Sequence, residues 1–240
     1  MIKKACLAAL VACLGPALAA VAQDDTSAQT LALRQSGFIE FGVSYDKLSG
    51  GQSNWNGQFV RANLPISERD RLDLELASQD HFDSRGTLVS AGVTHVFNAD
   101  WYGRVAFGAS SGGFFLPNWR VDASLSRKWL AQRNLVTTLG LGYYDAKDEH
   151  SDRSVLLSAL YYFDSPFILE VGARFNRSNP GSVDATRYFG AINWGQVKNR
   201  FITLKYESGA EGYQLMAPQI AMVDFDSDEI TFVWREWVND

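Results

Sequence analysis

The segment 167–176 reads FILEVGARFN, and its apolar side chains stand at every second position: Phe167, Leu169, Val171, Ala173 and Phe175. The residues between them are mostly polar: Ile168, Glu170, Gly172, Arg174 and Asn176. Successive side chains of a β-strand point to opposite faces, so this period predicts a strand with one apolar and one polar face.

The same alternation recurs outward from this segment, at 119–129 and at 72–77. Segments of this kind, bounded by turn residues, predict about twelve strands. They are 38–48, 53–65, 70–80, 85–97, 101–110, 118–130, 134–146, 152–164, 166–176, 184–196, 199–209 and 228–238. Strands of roughly 9 to 13 residues are long enough to cross a bilayer when tilted.

The predicted connections alternate between short and long, as in membrane barrels. The short ones are 98–100, 131–133, 164–165 and 197–198. The long ones are 49–52, 80–84, 111–117, 147–151, 177–183 and 210–227, and we expect them to face outward. Within the last, 213–216 and 220–223 are expected to extend the strands above the membrane.

The N-terminal residues have the features of a secretory signal. Lys3 and Lys4 precede an apolar stretch, and Ala20-Val21-Ala22 forms a small-residue cleavage site. We therefore expect three parts: a cleaved signal peptide (1–22), a short periplasmic tail (23–36) and a barrel domain (37–240). An uncleaved anchor and lipidation at Cys13 are the alternatives.

Charge and cysteine content exclude several classes of protein. Both cysteines, Cys6 and Cys13, lie inside the predicted signal, so the mature chain has no disulfide or cysteine-ligated metal. Removing Lys3 and Lys4 leaves 20 basic residues against 27 acidic ones, a net charge of −7, which argues against a nucleic-acid partner.

Together these patterns predict an all-β fold, a closed antiparallel transmembrane β-barrel of about twelve strands. Hydrocarbon offers no hydrogen bonds, so closure must pair every backbone group. Aromatic residues near both sets of turns, among them Trp55, Tyr102 and Phe201, fit the two interfaces of an outer membrane, with its lipid as the surrounding partner. A soluble β-sandwich, with these rings in its core, is the alternative.

Several motifs resemble the YaiO family of outer-membrane β-barrels. They are Tyr45-Asp46-Lys47-Leu48-Ser49 with Trp55-Asn56-Gly57, Ser111-Gly112-Gly113-Phe114-Phe115-Leu116-Pro117, Thr138-Leu139-Gly140-Leu141-Gly142-Tyr143-Tyr144-Asp145, Arg174-Phe175-Asn176 and Tyr213-Gln214-Leu215. The resemblance covers nearly all of the mature chain. It implies an outer-membrane location and an association with surface polysaccharide export, and it carries over no catalytic motif.

The face opposite the apolar one predicts a lumen with charges of both signs. These are Asp73, Glu75, Arg104, Arg120, Asp122, Glu170, Arg174, Lys205 and Glu207, together with Arg61 and Lys128. A selective channel concentrates one sign, so mixed signs favour a braced interior, and a polar path for sugar hydroxyls is the alternative. Glycines predicted on this face, such as Gly42 and Gly172, favour relief of crowding over clearance for a substrate.

A sugar-facing rim is predicted from aromatic and polar residues in or beside the long connections: Phe114, Phe115, Trp119, Tyr144, Asn176 and Tyr213. Aromatic faces suit sugar rings, and the alternative is a loop that folds into the barrel mouth or touches lipid. His81 and His150 stand beside carboxylates in these loops, which leaves a surface hydrolase open as a second hypothesis. No cofactor and no metal site are predicted.

The leading hypothesis is a non-enzymatic barrel that serves export or surface retention of an exopolysaccharide. Its expected partners are outer-membrane lipid, the polysaccharide and a periplasmic export component. A structural or adhesive barrel without transport is the third hypothesis.

Overall fold

The computed structural model describes residues 37–48, 53–196, 199–217 and 220–238. The predicted signal peptide, the periplasmic tail 23–36 and the connection 49–52 lie outside these residues. Among the described residues, no helix is long and apolar enough to cross a membrane.

Twelve strands form one antiparallel sheet in which each strand pairs with its neighbours in sequence. The strands are β1 (Phe38–Asp46), β2 (Trp55–Pro65), β3 (Asp70–His81), β4 (Ser84–Val96), β5 (Trp101–Gly112), β6 (Trp119–Trp129), β7 (Leu135–Asp145), β8 (Ser151–Tyr162), β9 (Phe167–Asn179), β10 (Val183–Gln196), β11 (Arg200–Ala217) and β12 (Ile220–Glu236). The predicted all-β class and the count of twelve are confirmed.

The two ends of the sheet differ less in connection length than expected. The predicted long loop 80–84 is a two-residue turn, because Phe82 and Asp83 both adopt positive φ, as a tight hairpin turn requires. The predicted loop 177–183 shrinks to 180–182, and 210–227 is mostly strand, because β11 and β12 extend to Ala217 and Ile220 as one long hairpin. We call the end with 82–83, 113–118 and 146–150 the mouth, and the opposite end the turn end.

The two faces of the sheet have different compositions. Large apolar side chains with exposed fractions of about 40% or more form one face, among them Phe41, Leu76, Phe107, Leu141 and Ile192. The other face is covered, and it holds polar side chains with exposed fractions of 8% or less, including Asn63, Arg71, Lys128 and Asn193. We call these the outer and inner faces.

Three rings assigned to the membrane interfaces lie inside instead. Trp55 and Tyr102 are 1% and 6% exposed, and Phe201 packs against the same inner cluster as Tyr102. The physical reason is strand alternation, since Tyr102 shares its face with buried Ala106 and not with exposed Val105.

Glycines on the inner face make room for neighbouring rings. A Cβ atom built on Gly42 would lie 2.1 Å from the Phe59 ring, and one on Gly172 would lie 2.3 Å from the Phe189 ring. These contacts favour relief of crowding as the role of the inward glycines.

Candidate functional site

Ion pairs between arginine and carboxylate side chains cross the middle of the inner face. Arg61 Nε lies 2.7 Å from Glu75 Oε2, and Arg104 Nε lies 3.1 Å from Asp73 Oδ2. These two pairs join β2 to β3 and β3 to the more distant β5. Asp73 and Glu75 therefore bind arginines of other strands, which braces the sheet from within.

The remaining predicted lumen charges extend this network. Arg120 Nε lies 3.8 Å from Asp122 Oδ2, and Lys205 Nζ lies 2.7 Å from Glu207 Oε2. Glu170 and Arg174 of β9 interact with charges on other strands, Glu170 with Lys205 and Arg174 with Asp122. Residues four apart along one strand stand about 13 Å apart, which is too far for a direct ion pair between the two.

Apolar clusters lie on both sides of these charges. Near the turn end, Tyr102, Val136, Tyr162 and Ile168 form a buried cluster. Near the mouth, a second cluster joins Ala77 and Leu88 to Phe115 and Leu116. Apolar clusters therefore lie on the inner face on both sides of the central ion pairs, and Lys128, the register partner of Val136, is buried beside the turn-end cluster.

The β5–β6 connection, residues 113–118, folds into the mouth, and we call it the cap loop. Its Leu116 is 0% exposed and Phe115 is 7% exposed. Tyr144 Oη donates a hydrogen bond to the carbonyl oxygen of Phe115 at 2.9 Å, and Lys147 Nζ donates to that of Gly112. The loop is therefore held from below by β7 and from the side by the next connection.

The Phe115 ring of the cap loop belongs to a stack of three rings inside the mouth. The His81 ring lies 4.3 Å from the Trp55 ring and 4.2 Å from the Phe115 ring, nearly parallel to both. Burial lowers the pKa of His81 from 6.5 to about 4, so the ring is neutral near pH 7. Both faces of the imidazole are covered.

Two half-buried rings lie beside this stack. Phe82 and Phe114 are stacked at 6.2 Å, and Phe82 meets Trp55 edge to face at 5.1 Å. Phe114 also contacts Phe115 edge to face. The mouth therefore carries an aromatic pair that remains partly open to solvent.

The long hairpin of β11 and β12 contacts the β7–β8 connection. Tyr213 Oη donates to Asp148 Oδ2 at 2.8 Å, and the His150 Nδ1 atom lies 2.7 Å from the same oxygen. The Tyr213 and His150 rings stack at 3.4 Å. Burial opposes ionisation of Asp148, but hydrogen bonds from the His150 backbone, Tyr213 and the His150 ring hold its pKa below the usual value.

The structure distributes the predicted rim residues over several places. Phe114 is at the mouth, Phe115 is buried beside His81, and Tyr144 lies under the cap loop. Trp119 lies on the outer face and stacks on Tyr143 at 5.0 Å. Asn176 donates to Ser178 Oγ on β9, and Tyr213 lies on the long hairpin.

Sequence reasoning missed Trp55, His81 and Phe82 as neighbours of the cap loop. The available signal was the composition of 113–118, since Phe114-Phe115-Leu116-Pro117 is too apolar for a solvated loop. Among the described residues, no group of three or more His, Cys, Asp or Glu side chains could hold a metal ion.

An all-antiparallel sheet with a lipid-compatible outer face and an ion-paired inner face defines the class of outer-membrane β-barrel proteins. The family described as "YaiO membrane beta barrel domain" matches residues 37–214, more than half of the chain. The chain belongs to this family, as the sequence motifs suggested, and its location is the outer membrane.

One solved structure similar to this chain is described as "KdgM porin". The two share 14% sequence identity with a TM-score of 0.52, and the match covers 72% of this chain and 91% of that one. At this identity the likeness concerns the fold alone. No curated protein matches the chain.

Proposed function

We propose that the chain is a closed, non-enzymatic barrel that retains exopolysaccharide at the cell surface and assists its export. The observation that carries the proposal is the mouth, where the cap loop covers the interior and Phe82 and Phe114 remain half-buried beside it. Such rings stack on sugar rings, whereas the filled inner face favours holding a polymer outside over passing it through.

Closure of the sheet is supported by a contact between its first and last strands. Arg235 Nε on β12 donates to Glu40 Oε1 on β1 at 2.7 Å, across 195 residues of sequence. Open edges in hydrocarbon would leave a row of backbone groups unpaired. In the closed form, Glu40 and Arg235 are neighbours across the seam.

Chemical cross-linking tests closure. With Glu40→Cys and Arg235→Cys in the same chain, a short thiol-specific cross-linker should produce a species with altered gel mobility. The control is Glu40→Cys with Arg174→Cys, since β9 is three strands from β12. Equal cross-linking of the two pairs would contradict closure at this seam.

Polysaccharide retention is tested in producing cells that lack the wild-type gene. The double variant Phe82→Ala and Phe114→Ala should release more polymer into the medium than the wild type. Phe107→Ala is the control, because Phe107 is an outer-face ring that is 54% exposed. Equal retention by the double variant and the wild type would refute the role of the mouth.

A surface hydrolase is the second candidate, and the Asp148–His150 contact is the observation that favours it. A carboxylate 2.7 Å from Nδ1 orients an imidazole as hydrolases require. His150→Ala would abolish such an activity and leave polymer retention unchanged. A periplasmic export component as partner remains part of the proposal and is testable by co-purification.

A further inference from the structure

The outer face carries a groove near the mouth, across β7, β8, β9 and the start of β10. Its volume is about 450 Å³. Four side chains of its lining are apolar or aromatic: Leu141, Tyr143, Val155 and Phe175. Three of its lining side chains are charged: Arg153, Arg177 and Asp184.

The two arginines stand directly opposite each other. Arg153 of β8 is the register partner of Arg177 of β9, and both residues are exposed. Like charges at directly opposed positions repel each other. Asp184 of β10 is the register partner of Arg177, with its Oδ1 3.8 Å from Arg177 Nε. The groove therefore has an excess of one positive charge and two guanidinium groups facing the same space.

The apolar part of the groove lies on the side of the arginines toward the middle of the sheet. Val155 and Phe175 are register partners one step below the arginine pair on the outer face, and they are 37% and 42% exposed. Leu141, opposite Val155 on β7, is 57% exposed. This surface belongs to the apolar face that contacts acyl chains.

Aromatic stacking places the arginines at headgroup depth. Tyr143 is the register partner of Arg153, and its ring stacks on Trp119, which in turn stacks on Phe107. In membrane barrels, aromatic rows of this kind mark the level of the lipid headgroups. The connections expected to face outward lie at the mouth, which puts the guanidinium pair at the expected level of the phosphate groups of the outer leaflet.

We propose that this groove binds one phosphate-bearing lipid of the outer leaflet. Arg153 and Arg177 hold the phosphate between them, since guanidinium groups match phosphate oxygens with paired hydrogen bonds. The acyl chains lie along Leu141, Val155 and Phe175. The bound phosphate also screens the repulsion between the two arginines. This site is on the lipid side of the sheet and does not depend on what the mouth binds.

The test is native mass spectrometry of the full-length protein in detergent, titrated with lipid A that carries its two phosphates. The double variant Arg153→Gln and Arg177→Gln should bind it about tenfold more weakly than the wild type, as expected for lost charge-assisted hydrogen bonds. Arg85→Gln is the matched control, because Arg85 is an exposed arginine at the same end of the sheet, and it should bind like the wild type.

Two further probes identify the source of the phosphate. Lipid A without phosphates should bind wild type and double variant equally, and inorganic phosphate should not displace intact lipid A. Displacement by inorganic phosphate would overturn the lipid as ligand. Equal lipid A binding by the wild type and the double variant, with both shifting in mobility on heating as folded barrels do, would overturn the site.

Discussion

His81 has its imidazole stacked between two aromatic rings in a buried position, and this burial favours the neutral form. Burial lowers its pKa to about 4, and outside the stack it titrates near 6.5. With the cap loop closed, His81 therefore binds fewer protons than with the loop open. The contribution of His81 to the closed loop is fully present above pH 6.5 and decreases as the pH falls from 6.5 toward 4.

This titration predicts that the cap loop opens more readily in mild acid. Hydrogen exchange of residues 113–118 should accelerate when the pH-corrected rates at about pH 7 and about pH 5 are compared. His81→Phe keeps the ring stack without a titrating group, so its corrected rates should stay constant. A wild type whose corrected rates also stay constant would contradict the assigned role of His81.

Gly172 gives a second prediction at this scale. A methyl group there would meet the Phe189 ring at 2.3 Å and the backbone oxygen of Leu157 at 2.7 Å. Since backbone cannot shift cheaply, Gly172→Ala should lower the free energy of unfolding by roughly 1–3 kcal/mol. Urea unfolding in detergent micelles measures this change.

Gly190 on β10 supplies the matched control. The nearest contact of a methyl group there is 3.8 Å away, so Gly190→Ala should be tolerated. Equal loss of stability in the two alanine variants would show that backbone freedom, and not space for the ring, explains the glycines.

At the scale of elements, the sequence predicted the strands much better than their connections. Strict alternation of apolar and polar residues shows where a strand lies and which face each side chain takes. Most predicted strand ends agree with the observed ones within about three residues. The two-residue turn at 82–83 was not predicted. Residues with positive φ in tight turns are usually glycine, and neither Phe82 nor Asp83 is glycine. β8 alternates less clearly than the other strands, because its inner face also carries apolar side chains, Leu156, Leu160 and Tyr162.

The candidate site was less predictable, because it depends on which loop folds inward. The residues of the cap loop were recognised, but Trp55 and His81 lie on β2 and β3, far from it in sequence. Their stacking follows from the position of Phe115 inside the mouth. A sequence pattern gives the face of a strand and not the path of a loop.

The long hairpin of β11 and β12 is predicted to hold the β7–β8 connection through Tyr213. Tyr213→Ala removes both the ring stack on His150 and the hydrogen bond to Asp148. Trypsin added to intact cells should then cut faster after Lys147, because the connection opens more often. Tyr213→Phe keeps the stack and should give an intermediate rate. No change in cleavage for the alanine variant would show that this contact does not hold the connection.

At the scale of the whole molecule, two apolar clusters and a set of ion pairs occupy the inner face. Apolar clusters lie at the turn end and below the cap loop, and pairs such as Arg104–Asp73 lie between them. Buried charges of opposite sign interact more strongly than they would in water, which makes such a set of ion pairs costly to open. The proposed function therefore predicts a barrel that holds polymer at its mouth and does not let ions flow freely through its interior.

Single-channel recording in planar bilayers tests this claim most directly. Purified protein, with folding verified by heat-shifted gel mobility, should insert without producing long-lived channels, and added oligosaccharide should not change the current. Stable ohmic channels of the folded wild type, blocked by oligosaccharide, would contradict the closed interior and identify a conducting pore instead.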